Sequence, residues 1–156
     1  MGVTGGKRLG ELLMEKGLIT LEQLEQALEK QRSTREFLGA ILVSQGWISE
    51  EGLLRALADQ FGMPFTRLEQ ERVDWDAAMR LARAPLLERH CLPLRMDFGE
   101  VTVAMANPLD VEAVSEMERE ARPRKVRWLL MPTADILAAI EELRRKIRGS
   151  VGGSAA

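Results

Sequence analysis

Apolar residues in the first third of the chain recur at helical spacing. Leu9, Leu12 and Leu13 share one face, and Lys16 places a cation near the helix end, where the macrodipole favours it. Gly17 suits the left-handed position that stops a helix. Thr20 then reads as an N-cap and Gln23 as its capping-box partner, ahead of a second face carrying Leu21, Leu24 and Leu28. The pattern starts again after a five-residue spacer, RSTRE. Residues 8–31 and 37–60 align without a gap, and ten of the 24 positions are identical, among them both glycines, four leucines and the final Gln31/Gln60. Gly46 is the second stop and Ser49 the second cap, with Gly52 in place of the capping-box Gln. Two helical hairpins are predicted.

From FGMPFTRL onward the period changes. Pro64 favours an extended connection around Phe65. Asp74 is placed to cap a short helix over WDAAMRLA, and Pro85 to open another over PLLERH. Leu92–Met96 and Val101–Met105 alternate as strands around the turn Asp97-Phe98-Gly99-Glu100. Asn107-Pro108 reads as a helix start with Asn107 as cap; Asp110 at the third position also reads as a capping residue. Val126–Met131 reads as a third strand, and Thr133 as the cap of a last helix running to about Ile147. The expected fold is α+β: an N-terminal pair of helical hairpins formed by the tandem 24-residue repeat, then a small α/β subdomain with about three strands. The expected divisions are a flexible leader over 1–7, the hairpins over 8–62, the α/β subdomain over 63–148 and a flexible tail, GSVGGSAA, over 149–156.

Composition narrows the chemistry. The 156 residues are 46% hydrophobic, enough to build a core, and the formal net charge of -2 lacks the basic excess of a nucleic-acid binder. The helix over 21–31 is acidic, whereas a DNA-reading helix should be basic. Gly5-Gly6-Lys7-Arg8 lacks the upstream Gly and the following Ser or Thr of a phosphate-binding P-loop. One Cys and one His, the adjacent Cys91 and His90, complete no metal site and form no nucleophile–base pair. The stretch MGVTGGKRLGE lacks the apolar core of a signal peptide, and no apolar run approaches the length of a membrane span. The reading is a cytoplasmic protein that is not an enzyme, with no cofactor, no metal and no direct membrane insertion. The tryptophans, Trp47, Trp75 and Trp128, are expected in the core, with Trp47 the best placed for an exposed contact.

Several repeated positions exceed what two hairpins need. Gly10 and Gly39, expected near helix starts, leave backbone accessible to close approach, and Gln31 and Gln60 recur at the far end of each copy. Arg8 precedes Leu9-Gly10, whereas Phe37 precedes Leu38-Gly39. The pattern RLGxx, an apolar pair, Gly, Leu, Leu and a final Gln, duplicated across five residues, resembles the tandem motif of the MshEN domain. That domain stands at the N-termini of type II secretion and type IV pilus assembly ATPases, and AMANPLD resembles a junction in the rest of its fold. The resemblance implies a regulatory domain that binds cyclic di-GMP. Arg8, Leu9, Gly10, Leu24, Leu28 and Gln31 would contact one half of the ligand. Phe37, where the second motif has Arg, would join Leu38, Gly39, Leu53, Leu57 and Gln60 on the other half. The implied partners are the ATPase motor and inner-membrane assembly proteins; a docking module without nucleotide binding is the alternative.

Arg suits the O6/N7 edge of guanine through a two-pronged hydrogen bond, or the purine face by stacking. Free N–H groups at helix starts suit phosphate. Lys7, Lys30, Arg32 and Arg35 are close enough in sequence to offset two negative charges.

Overall fold

The computed structural model describes residues 5–154, with side chains over 9–150. The chain divides after Gly62 into two compact units. Among the described residues it is an α+β protein of eight α-helices and a three-stranded mixed sheet.

The first unit holds α1 (Gly5–Glu15), α2 (Leu21–Thr34), α3 (Leu38–Ser44) and α4 (Glu50–Phe61). Both hairpin turns close by the same bonds. Gly17 N–H donates to Met14 and Leu18 N–H to Leu13; Gly46 N–H donates to Val43 and Trp47 N–H to Leu42. This pattern needs a left-handed residue, and glycine supplies it at φ 71 for Gly17 and φ 76 for Gly46. Thr20 accepts from Gln23 N–H while the Gln23 side chain accepts from Thr20 N–H, completing the capping box. Ser49 caps α4 by accepting from Gly52 N–H alone. Helix α1 packs against α4, and α2 against α3, so each hairpin embraces the other in equivalent fashion. Leu9, Leu13, Ile41, Leu42 and Leu54 are fully buried between them.

The second unit holds α5 (Trp75–Leu81), α6 (Ala84–Glu88), β1 (Cys91–Asp97), β2 (Glu100–Met105), α7 (Val111–Ala121), β3 (Lys125–Leu130) and α8 (Thr133–Ser154). Strands β1 and β2 form an antiparallel hairpin about Phe98-Gly99; β3 returns through α7 to lie parallel to β2. Alternation puts Leu92, Leu94, Ala104 and Leu129 on one face, against Ile136, Ile140 and Leu143 of α8. Cys91, Val101 and Val103 line the other face, against Met117 and Ala121 of α7. Each fully covered aliphatic side chain contributes about 1.5–3 kcal/mol, so α8 is held mainly by its apolar stripe.

Four expectations change. Helix α1 opens at Gly5, inside the segment read as a leader, and α8 runs to Ser154, into the segment read as a tail. Neither stretch carries a proline, and a helical Gly costs only about 1 kcal/mol. Residues 1–4 and 155–156 lie outside the described residues. Helix α7 is capped by Asp110, which accepts from Ala113 N–H, and not by Asn107. Asn107 accepts from Leu109 N–H two residues on, closing a local turn before the helix begins. All three tryptophans are half-buried, none fully in the core.

Candidate functional site

The repeated residues converge on the first unit, but most of the leucines face inward. Leu9 is 0% exposed, Leu38 1% and Leu57 2%, with Leu24 and Leu53 also buried. Leu28, Gln31 and Gln60 are half-buried, while Phe37 stands 46% exposed. Arg8 lies on α1, and its side chain is outside the described residues.

The glycines are covered by their own repeats. A Cβ on Gly10 would lie 2.5 Å from Leu24 Cδ1, and one on Gly39 would lie 2.8 Å from Leu53 Cδ2. Leu24 and Leu53 are equivalent positions, so the same contact occurs twice. The close approach that these glycines permit is therefore that of a leucine across the hairpin. Gly10 is also the sixth residue of α1, past the first four N–H groups that lack helical partners. Only Gly39 sits at a helix start.

The two glutamines differ in their surroundings. Gln31 Nε2 donates to the Glu36 carbonyl at 3.0 Å, tying the end of α2 to the peptide just before Phe37. Arg35, left-handed at φ 61, ends α2 by donating its N–H to the Gln31 carbonyl. Gln60 Oε1 is buried without a hydrogen-bond partner. Gln60 borders a shallow depression of about 300 Å³ with Glu11, Leu12, Glu15 and Asp59. Lys16 Nζ neutralises Asp59 at 2.9 Å, leaving two carboxylates.

Charge is not duplicated with the fold. The equivalents of Glu11, Glu15 and Asp59 are Ala40, Ser44 and Lys30. Lys30, Arg32 and Arg35 are exposed near the spacer and join no ion pair among the described residues. Lys30, Arg32 and Arg35 thus gather cations at the spacer end of α2, while Glu11 and Glu15 leave the depression beside Gln60 anionic. Both sequence repeats contain this difference, visible once they are aligned, but the apolar match conceals it.

Among the described residues the second unit offers no competing chemistry. Cys91 is wholly enclosed in β1; burial, and then the charge of Asp110, pushes its thiol up to about 12. His90 precedes it with a left-handed φ of 55. Asp110 caps α7 and pairs with Arg89. No group of three or more His, Cys, Asp or Glu among the described residues is placed to hold a metal.

Comparison with known proteins places this architecture. The MshEN domain matches residues 61–150. The chain belongs to the MshEN domain family. The match falls on the second unit, whereas the relatives extend over the hairpins as well. Type IV pilus assembly ATPase PilB of Thermus thermophilus is 43% identical over 128 residues, which is 81% of this MshEN chain and 14% of that protein. Bacteriophage adsorption protein B of Escherichia coli K12 is 30% identical over 94% of the chain and 20% of its own length. The MshEN chain thus spans a fifth or less of these curated relatives. Among solved structures, MshE with cdg (cyclic di-GMP) superposes with a TM-score of 0.78 at 30% identity, covering 86% of this chain and 97% of that one. The N-terminal domain of XpsE shares the fold, with a TM-score of 0.66 at 20% identity and coverage of 86% and 92%. No helix among the described residues is long and apolar enough to cross a membrane.

Proposed function

We propose that this MshEN domain binds one molecule of cyclic di-GMP on the hairpin pair and reports occupancy to a type IV pilus or type II secretion ATPase. The likeness to MshE with cdg, over nearly all of that chain, carries the reading. A ligand made of two identical halves matches a unit made of two equivalent hairpins. Arg8 would read guanine in the first half-site and Phe37 would stack on the base in the second. Leu28 and the glutamines would border the ligand, and Lys30, Arg32 and Arg35 would offset its phosphates. Leu9, Leu24, Leu38, Leu53 and Leu57, being buried, would shape the surface from beneath, while Gly10 and Gly39 let the hairpins close. The domain itself would perform no catalysis and work in the cytoplasm.

The exposed Phe37 favours a second reading, a docking module for an inner-membrane assembly component. Anisotropy of fluorescently labelled cyclic di-GMP separates the two. The sensor saturates and releases the label to unlabelled cyclic di-GMP but not to GTP or ATP; a docking module leaves the signal flat.

A further inference from the structure

Strand β3 has an open edge. In a parallel ladder, alternate residues direct both N–H and C=O to the same side. Lys125 N–H donates to Gly99 beside β2, so Lys125, Arg127 and Leu129 face β2 with their backbone groups. Leu130 faces outward, donating to the Pro64 carbonyl and accepting from Thr66 N–H, a short parallel bridge centred on Phe65. By the same alternation Val126 and Trp128 also face outward, and their N–H and C=O groups bond to no backbone or side chain among the described residues. The segment at Pro64–Thr66 has begun an added strand and left the rest of the edge unpaired.

This edge is cationic. Arg122, Arg124, Lys125 and Arg127 are all exposed, and none makes an ion pair among the described residues. Glu100 lies opposite Lys125 in the ladder without an ion pair to it. Exposed cations on an edge strand deter pairing with a second copy, which would bring the same charges together. They do not deter an acidic strand. Alternation defines its pattern further: side chains beside Lys125 and Arg127 should be acidic, and those beside the half-buried Val126 and Trp128 should be apolar.

The geometry points to β3 as a docking edge for an extended, alternately acidic and apolar segment of a protein partner, added as a fourth strand. This inference is independent of nucleotide binding.

The test uses the whole chain and a fluorescein-labelled peptide of alternating valine and glutamate, with a valine–lysine peptide as control. At low salt the acidic peptide binds saturably and the basic one does not. Hydrogen exchange at the Val126 and Trp128 amides slows in the complex. Arg124→Glu with Arg127→Glu weakens binding by roughly tenfold or more. Val126→Pro, which removes one outward N–H at a position where an edge strand tolerates proline, weakens it while the charges remain. Absence of saturable binding, binding that leaves both amides exchanging freely, or the same amide protection from phosphatidylserine vesicles without peptide would overturn the assignment. The exchange measurement on the unaltered chain decides the matter even if Val126→Pro fails to fold.

Discussion

Arg8 and Phe37 occupy the same position in two copies of one hairpin, yet they offer a ligand different chemistry. Phe37 is the N-cap of α3, makes no side-chain cap bond and is half exposed, so Phe37→Arg should leave stability nearly unchanged. It should tighten cyclic di-GMP binding, with the gain shrinking at high salt. Unchanged affinity in a folded variant would remove Phe37 from the site. Arg8→Ala should weaken binding by about 1–3 kcal/mol, and Arg8→Lys should recover only part, because an ammonium lacks the planar fork. The glycines belong to a different experiment. Gly10→Val or Gly39→Val drives a side chain into Leu24 or Leu53 and should cost about 1–3 kcal/mol of stability, read by urea unfolding. Loss of binding with an undiminished unfolding midpoint would instead put a ligand over those glycines. Cys91 gives a pH signature. Its ordinary value is 9.0 and its folded value about 12, so the native state retains a proton that the unfolded chain releases between them. This contribution is complete below about pH 9 and lost as pH rises towards 12. The thiol should resist alkylation in the native protein at pH 8 and react on unfolding.

At the scale of elements, what the sequence made legible was local. A left-handed stop demands glycine and an N-cap demands a short oxygen-bearing side chain, so Gly17–Thr20 and Gly46–Ser49 marked both hairpin turns before any packing was known. Strand alternation marked the β1–β2 hairpin for the same reason. Thr20→Ala removes the complete capping box and should cost about 1 kcal/mol, more than Ser49→Ala, whose cap lacks the reciprocal bond. Equal losses in denaturant titrations would show that the Gln23 side chain adds nothing. What stayed hidden depended on neighbours distant in sequence or on competing local turns. A repeated glycine looks the same whether a ligand or Leu24 covers it. Asn107 and Asp110 are both good caps, and only the turn that Asn107 closes with Leu109 decides between them. Ends of α1 and α8 were hidden because Gly weakens a helix without breaking it.

For the whole molecule, duplication of the fold without duplication of the charge is the central feature. Apolar matches between residues 8–31 and 37–60 build equivalent hairpins, while Glu11, Glu15 and Asp59 answer to Ala40, Ser44 and Lys30. A symmetric dianion would therefore meet an asymmetric field and lean on the cations of the spacer. The chain should hydrolyse neither ATP nor GTP, having no P-loop; turnover that co-purifies with it through successive columns would contradict this. The central claim is that the paired hairpins form one nucleotide site. Isothermal calorimetry of the full chain with cyclic di-GMP tests it most directly. Saturable heat at one ligand per chain is expected, abolished by Arg8→Ala combined with Phe37→Ala. No saturable heat from the folded chain, or heat that survives both substitutions unchanged, would contradict it.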